Sequence, residues 1–348
     1  MPPKRDKPPT IVDVARAAGV GIMSVSRTLN HHPGVKESTR EKVQKAMERI
    51  GYTPNDAARM LKGLRGRSIG LVVPDLSDFF SSCFHSIQAV AMSRQYQTMV
   101  VATGRDARVE ERQLEAMRLN GIAGLIIVTS GGEGLSLKRM AESGIPIVAL
   151  DRPLTAVRAD AVLVENREGA ESGVRHLIEH GHTRIACVGY NSGSYTVRER
   201  IEGYQHAMQA AGLEPLLFSQ VDSIHAMEAL VARWRQQEDR PTALFSLKRI
   251  TSALLLQALH RQRIRVPQEM AVVGFDDFEL AELLGVPLTV VRQDPAQLAH
   301  SAAELLFRKL EEARQDAPPE QPQIARLFFS TELVVRRSCG CGGDIPAF

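Results

Sequence analysis

The sequence of 348 residues contains no run of about 18 apolar residues, the length that a helix needs to cross a membrane. An apolar stretch is also missing behind the basic residues Lys4, Arg5 and Lys7, so the pattern of a secretory signal is absent. We therefore expect a cytoplasmic location and no membrane partner.

The fingerprints of common enzyme classes are missing as well. A dinucleotide-binding fold carries a glycine-rich turn after its first strand, but Val73, Pro74 and Asp75 occupy that place here. No Walker loop occurs, and no Gly-x-Ser-x-Gly motif lies between a strand and a helix. We expect that the protein is not an enzyme and needs no cofactor.

Cysteine is scarce, with four residues in the whole chain. Cys83 and Cys187 have apolar neighbours and are interpreted as small core residues. Cys339 and Cys341 form an isolated Cys-x-Cys pair that could bind a metal or form a redox pair, but no histidine lies near it in the sequence. We favour a solvated tail over a metal site and expect no bound metal.

Charge is distributed unevenly along the chain. Residues 1–65 hold 13 Lys and Arg against 6 Asp and Glu, whereas the rest of the chain holds 30 against 34. A basic head on a slightly acidic body indicates that the head meets a polyanion. Composition alone does not distinguish DNA, RNA and an anionic membrane surface.

Three short helices are predicted in the head. Asp13 follows Thr10 by three residues, which is a variant of the capping box, and Gly19 ends the first helix. A second helix covers about 22–29, and a third covers about 38–50. Two short helices joined by a tight turn are typical of a helix-turn-helix, although a three-helix bundle with a solvated face gives the same pattern.

In a helix-turn-helix, the second helix enters the major groove of DNA with its early residues at the base edges. Arg27 can form a bidentate pair with guanine, and Ser26 can reach a phosphate. Ile22 and Met23 are apolar and would contact thymine methyl groups or follow the shape of the groove, so the preferred DNA sequence cannot be deduced from them.

The chain beyond the head alternates between short apolar runs and amphipathic helices. This alternation predicts parallel α/β sheets covered on both faces, and about 270 residues of it are enough for two lobes. The predicted strands are Ile69–Val73, Thr98–Ala102, Leu125–Val128, Ile147–Leu150, Ile185–Gly189, Ala243–Phe245, Ala271–Phe275 and Leu288–Val291.

Several segments, in the right order, closely resemble the lactose-repressor/galactose-repressor (LacI/GalR) family over nearly the whole chain. In the head these are Asp13–Val20, Ser24–Arg27, Asn30, Thr39–Val43 and Gly51–Ala58. In the body they are Ile69–Asp75, Gly124–Ile127, Gly144–Val148, Asp151–Pro153, His180–His182, Arg184–Ala186, Arg200–Tyr204, Val266–Pro267 and Val273–Asp277.

The resemblance implies an α/β protein with an all-α helix-turn-helix head and a periplasmic-binding-protein-like core of two parallel-sheet lobes. The head is expected at 1–54, a hinge helix and linker at 55–66, the core at 67–340 and a tail at 341–348. The first lobe takes about 67–163 plus 293–322, and the second lobe takes about 164–292 plus 323–340. A homodimer is expected, so that two heads meet a pseudo-palindromic operator.

The resemblance also implies the residues that contact double-stranded operator DNA. Leu61 matches a leucine wedge that enters the minor groove from the hinge helix, which orders on operator DNA. Gly21 stands where the family usually has Ser or Thr as the cap of the recognition helix, so a hydroxyl contact to phosphate is lost. The DNA-contacting set is Thr10, Gly21, Ile22, Met23, Ser24, Ser26, Arg27, Asn30, Asn55, Ala58, Leu61 and Lys62.

Ligands of such cores are held by a few polar groups at the carboxyl ends of strands. Arg200 can fork onto hydroxyls or a carboxylate, and Asp276 can accept hydrogen bonds from two sugar hydroxyls, although either could be a structural ion pair. Lys248 and Arg249 stand where the family commonly has an Asn-Asp pair. If these two cations face the ligand they favour an anionic one; alternatively, they face solvent and do not contact the ligand. The expected ligand set is Asp75, Phe79, Phe80, Asp151, Arg152, Arg200, Lys248 and Asp276.

Together these features predict a DNA-binding transcription regulator that represses its targets and responds to a sugar, a sugar acid or a sugar phosphate. An enzyme is one rival hypothesis. A transport binding protein is the other, since it would share the two lobes, but it would need an export signal and would have no use for a basic head.

Overall fold

We describe the protein from a computed structural model. It describes residues 9–29, 34–52, 66–131, 134–190, 193–278, 281–283, 285–313 and 324–341. The chain divides into two compact units, with the boundary between Gly66 and Arg67.

The first unit is helical. It contains α1 (Ile11–Ala18), α2 (Ile22–Leu29) and α3 (Glu37–Ile50). One small apolar cluster joins the three helices, and its buried members are Val14, Ala15, Val25, Val43 and Ala46. The short side chains of the two alanines let the helix backbones approach closely, which so small a core requires.

Local contacts fix the ends of α1. The backbone N–H and the hydroxyl of Thr10 both donate to Asp13 Oδ2, at 2.9 and 2.7 Å, which confirms the predicted capping box. At the other end Gly19 has φ 66°, a left-handed conformation that glycine adopts without strain. Arg49 Nη2 then donates to the carbonyl of Ala17 at 2.7 Å and ties α3 to the end of α1.

The second unit contains twelve strands among its described residues. The first lobe begins with β1 (Ser68–Val73), α4 (Asp78–Ser93), β2 (Gln97–Ala102), α5 (Ala107–Leu119), β3 (Gly124–Ile127), α6 (Leu135–Glu142), β4 (Ile147–Leu150) and β5 (Asp160–Val164). The second lobe continues with α7 (Asn166–Glu179), β6 (Ile185–Val188), α8 (Tyr195–Ala210), β7 (Leu216–Phe218), α9 (Ile224–Arg235), β8 (Ala243–Ser246), α10 (Arg249–Arg261), β9 (Ala271–Phe275) and β10 (Thr289–Arg292). The remaining elements are α11 (Pro295–Glu312), β11 (Arg326–Phe329) and β12 (Glu332–Val334).

Each lobe is built on a six-stranded sheet. The strand order is β11-β5-β4-β3-β1-β2 in the first lobe and β12-β10-β9-β8-β6-β7 in the second. All neighbouring strands are parallel except β10 and β12. Helices cover both faces of such sheets, which explains why the inner strands are continuous apolar runs and not alternating ones. The strand order reverses beside β1 and beside β6, and crevices at such points commonly hold ligands.

The chain passes between the lobes three times. It crosses after β5, after β10, and between Phe329 of β11 and Glu332 of β12. The expected place of 323–340 in the second lobe is wrong for β11, which pairs in parallel with β5 of the first sheet. The reason is that β5, which was not predicted as a strand, needs a partner for its outer edge.

All eight predicted strands are present, with ends shifted by a few residues at most. The predicted burial of Cys83 and Cys187 is confirmed, since neither is exposed. The solvated-tail interpretation is wrong for Cys339, which is 1% exposed, and the fold brings His176 and His180 to its neighbour Cys341. No helix among the described residues is both long enough and apolar enough to span a membrane.

The close packing of α7 on α8 provides a test of the second lobe. Gly203 of α8 faces the carbonyl of Arg167 so closely that an added Cβ would collide with backbone. We expect Gly203→Ala to destabilise the core by about 1–3 kcal/mol, because backbone cannot yield as a flexible side chain can. Urea denaturation would measure the change, and Gly285→Ala is the matched control because its Cβ would meet nothing within 4 Å.

Candidate functional site

The exposed face of α2 carries the residues expected at base edges. Ile22 is 48% exposed and Met23 is 68% exposed, so two adjacent large apolar side chains face solvent. Arg27, in the last turn of the same helix, is exposed as well. An apolar pair followed by a guanidinium suits a groove surface that offers methyl groups and guanine acceptors.

The other described residues of the predicted DNA-contacting set have local roles. The carbonyl of Gly21 accepts the N–H groups of Ser24 and Val25, at 2.9 and 3.2 Å, so α2 starts without a side-chain cap. Thr10 caps α1, and Ser24 and Ser26 are half-buried. The predicted contacts Asn30, Asn55, Ala58, Leu61 and Lys62 lie outside the described residues.

The second unit contains a cavity of about 1000 Å³ at the carboxyl ends of strands from both sheets. Its size is that of a site for a small organic molecule. The eight residues of the predicted ligand set all line it: Asp75, Phe79, Phe80, Asp151, Arg152, Arg200, Lys248 and Asp276. Their contact with a ligand stays a prediction.

A buried ion pair forms the wall of this cavity on the second lobe. Arg200 is 3% exposed, and its Nη1 and Nη2 donate to the two carboxylate oxygens of Asp276 at 3.1 and 3.3 Å. Its guanidinium carbon lies 3.7 Å from the centre of the Phe275 ring. The fork that we expected to bind a ligand is therefore largely occupied by a carboxylate of the protein itself.

Two residues from the crossings between the lobes complete this pair. Asn166 Oδ1 accepts from Arg200 Nε at 2.8 Å, and Gln293 Nε2 donates to Asp276. Gln293 is 9% exposed, and its Oε1 has no hydrogen-bond partner among the described residues. Because an unpaired buried acceptor is costly, this atom is a natural contact for a donor on a ligand.

The first lobe contributes two further ion pairs. Arg152 Nη2 donates to Asp151 at 2.8 Å, and Arg105 Nη2 donates to Asp75 at 2.6 Å. Burial acts to raise the pKa of Asp75, but its hydrogen bonds from Ser77 and Arg105 outweigh that effect and hold the pKa below its ordinary value. Asp75 therefore stays ionised in the cavity.

Asp151 and Asp276 occupy matching positions at the ends of β4 and β9, the third strand of each sheet. They have φ 69° and 74°, a left-handed conformation that costs a residue with a Cβ about 1 kcal/mol or more. Strain of this kind persists where the surroundings hold a side chain in a required direction.

Lys248 differs from the other cations of the cavity. Arg105, Arg152 and Arg200 each have a carboxylate partner, and Arg249 pairs with Asp78 at 3.4 Å. Lys248 has no ion pair or hydrogen bond from its ammonium to the described residues. Burial, and then the nearby charges of Arg105, Arg200 and Arg152, lower its pKa from 10.5 to about 8, with Asp276 opposing the shift.

The two aromatic residues of the predicted set lie together at the start of α4. Phe79 and Phe80 meet edge to face, with ring centres 5.1 Å apart. Phe80 is 8% exposed and belongs to the apolar core of the first lobe, whereas Phe79 is half-buried and packs against that core. Phe79 therefore offers more surface to a ligand than Phe80 does.

Sequence reasoning missed several polar residues that line the cavity. They are Ser77, Arg105, Tyr190, Thr196, Asp222 and Gln293. Most of them follow a strand or start a helix, so the rule that sites form at the carboxyl ends of parallel strands would have pointed to them. Their residue types alone would not have identified them as site residues.

Each of the two units matches a known protein family. Residues 10–55 match the family described as bacterial regulatory proteins, lacI family. Residues 174–339 match a periplasmic binding protein-like domain. Among curated relatives, the transcriptional regulator DegA of Bacillus subtilis is 30% identical, covering 94% of this chain and 97% of its own. The repressor PurR of Vibrio vulnificus is 31% identical, with the same coverage of 94% and 97%.

Solved structures show the same architecture. A complex of the transcriptional regulator CelR with cellobiose has a TM-score of 0.68 at 28% identity, covering 95% of this chain and 99% of that one. The lac repressor dimer bound to operator has a TM-score of 0.77 at 24% identity, covering 96% and 99%.

A helix-turn-helix unit together with a two-lobed core and its polar cavity defines a ligand-responsive, DNA-binding transcription regulator, which is not an enzyme. The chain belongs to the lacI family of bacterial regulatory proteins.

The Arg200 pair generates a stability test. We expect Arg200→Lys to destabilise the core by about 2–4 kcal/mol, since an ammonium cannot reach Asn166, Leu247 and both oxygens of Asp276 at once and leaves buried acceptors unpaired. Thermal or urea denaturation measures the change. Arg249→Lys at the same cavity is the control, because its ion pair is exposed and should matter by less than about 1 kcal/mol.

Proposed function

We propose that the chain is a repressor whose affinity for operator DNA is controlled by a small ligand with an anionic group, such as a sugar acid or a sugar phosphate. The observation that carries the proposal is the ammonium of Lys248, which has no partner among the described residues, in a cavity whose lining arginines each have a carboxylate partner. An anion placed there would supply the carboxylate or phosphate that Lys248 lacks.

The position of Lys248 strengthens the case. It precedes α10, whose first residues Arg249, Ile250 and Thr251 also line the cavity. Two cations at the N-terminal end of a helix oppose the helix dipole, whereas an anion at that end is stabilised by the dipole and by free N–H groups. Lys248 and Arg249 are thus repelled by the helix dipole when no ligand is bound, and an anionic ligand would relieve this repulsion.

A neutral sugar is the competing ligand. The carboxylates of Asp75 and Asp276 can still accept hydrogen bonds from hydroxyl groups, and CelR, at 28% identity, is described in complex with cellobiose. The two hypotheses differ in one respect: a neutral sugar leaves Lys248 without a counter-charge.

Other parts of the function rest on the family. The lac repressor is described as a dimer bound to operator, and PurR is named a repressor. We propose that this chain also forms a homodimer, binds a pseudo-palindromic operator, and acts in the cytoplasm, where its DNA target lies. Ligand binding between the lobes would shift their relative placement and thereby the spacing of the two heads.

The ligand class can be tested by a matched pair of variants and ligands. Sugars, sugar acids and sugar phosphates are screened by thermal shift, with each anion paired to its neutral parent, such as gluconate with glucose. We expect an anion to bind and Lys248→Met to weaken it by roughly 10- to 100-fold, the effect of one charge-assisted hydrogen bond. Tighter binding of a neutral parent, unaffected by Lys248→Met, would establish the competing ligand.

Affinity for the anion should also depend on pH. Lys248 has a pKa of about 8 in the free protein, and a bound anion raises that pKa, so binding takes up a proton above pH 8. We expect constant affinity below pH 7 and a dissociation constant that grows by up to about tenfold per unit above pH 8. Isothermal titration with a ligand fully ionised over this range gives the profile, and Lys248→Met should abolish its slope.

The head can be tested separately. Gel shifts on genomic fragments would first identify an operator, and complete failure to retard any DNA, with or without ligands, would refute the regulator hypothesis. Arg27→Ala should then weaken operator binding by about 1–3 kcal/mol while changing non-specific binding much less. Lys45→Ala, an exposed cation of α3, should leave the ratio of the two affinities unchanged if phosphate is all that it contacts.

A further inference from the structure

Two histidines and two cysteines meet on the second lobe, and none of them lines the cavity described above. His176 and His180 are one turn apart at the end of α7, and their Nε2 atoms lie 3.1 and 2.8 Å from Cys341 Sγ. Cys339 Sγ lies 3.1 Å from the same sulfur. Imidazole nitrogens and thiol sulfurs are the ligands of tetrahedral zinc sites.

We propose that His176, His180, Cys339 and Cys341 bind a structural Zn²⁺ ion that ties the segment after β12 to α7. The thiols bind as thiolates and release their protons to solvent, and the imidazoles bind as neutral rings through Nε2.

The local fold prepares both histidines for this role. His180 Nδ1 lies 2.7 Å from the carbonyl of His176, so that nitrogen carries the proton and Nε2 keeps its lone pair toward Cys341. Hydrogen bonding alone would require His176 to adopt the opposite tautomer, because one thiol cannot donate to two lone pairs. A metal ion can bind the Nε2 lone pairs of both histidines, each in the same tautomer, together with the Cys341 thiolate.

The two cysteines are also held in position. Gly340, between them, has φ 93°, a turn that lets both sulfurs face the same point. The hydroxyl of Thr289 accepts the N–H of Arg336 at 2.9 Å and donates to Cys339 Sγ at 3.1 Å. Such a donor stabilises a thiolate, as the outer partners of metal ligands commonly do.

The spacing of the ligand atoms suits a small ion. Zinc bonds of about 2.0–2.3 Å at tetrahedral angles put neighbouring ligand atoms roughly 3.3–3.8 Å apart. The distances from Cys341 Sγ to the other three atoms, at 2.8–3.1 Å, need to widen by less than about 1 Å. The ligand atoms of His176, His180 and Cys341 all lie within 4.8 Å of one another, and Cys339 Sγ reaches this group through Cys341, so the fourth ligand has to turn toward the histidines. Cys339 is 1% exposed, which closes one side of the site and favours a structural over a catalytic metal.

The proposal is tested on the full chain, purified under reducing conditions without a histidine tag. We expect about one zinc per chain by elemental analysis, and replacement by Co²⁺ should give the intense visible bands of tetrahedral cobalt with a thiolate charge-transfer band. A wild-type chain that takes up neither metal would overturn the proposal without the need for any variant.

Variants then assign the ligands. Cys341→Ser and His180→Ala should lower Co²⁺ affinity by more than about 100-fold, beyond the loss expected for an outer-shell partner. The controls Cys187→Ala and His182→Ala remove one residue of each type from the same lobe, outside the cluster, and should keep the metal. Equal loss in controls and ligand variants would contradict the site, and circular dichroism reports whether each variant is folded.

Cys339 is decided by its own variant. If it is the fourth ligand, Cys339→Ser should reduce the charge-transfer intensity to about half, because one thiolate remains. An unchanged spectrum would remove Cys339 from the ligand set and overturn the four-residue site. Chelation of the wild-type metal should also lower the thermal midpoint of the core, since an ion that binds only the folded chain stabilises it.

Discussion

The ion pair of Arg200 and Asp276 is the interaction on which the polar cavity of the core depends. A guanidinium that is almost fully buried must have partners for its charge and its N–H groups, and removing one partner of such a pair is strongly destabilising. The partners come from the ends of β8 and β9, from the start of α7 and, through Gln293, from the segment after β10. The positions of these side chains in the site therefore follow from the requirement that the buried guanidinium be paired and hydrogen-bonded.

The same network links the site to the crossings between the lobes. Asn166 and Gln293 each lie in a crossing, and each is hydrogen-bonded to one member of the pair. A ligand that contacted Asp276 or Gln293 Oε1, as we propose, would act on the residues that form these hydrogen bonds. Ligand binding and lobe placement would then be coupled through one or two hydrogen bonds, without a long pathway through the core.

The limits of sequence reasoning follow from what each feature depends on. Strands such as β1 and β9 are dense apolar runs and could be predicted, whereas β5 starts with a charged residue and β7 has three residues. β11 could not be assigned to a sheet, because it pairs with the edge of β5, and β5 was not itself predicted as a strand. The ligand set follows strand ends and motifs, whereas Gln293 follows a strand but belongs to none of the motifs. The histidines at the end of α7 lie about 160 positions before Cys341, so only the folded chain brings them together.

The last crossing, in which Ser330 and Thr331 separate β11 from β12, has a mechanical consequence. The third connection lies beside the other two, since the Glu165 N–H donates to the Phe329 carbonyl and Arg292 pairs with Glu332. Three adjacent connections would permit one lobe to bend on the other about the axis through them, and would resist sliding and twisting. Because β11 and β12 are edge strands of different sheets, each lobe is also completed by residues from a distant part of the chain. Neither lobe is formed by one continuous segment of the sequence. A chain truncated before β11 would therefore lack the edge strand of the first sheet.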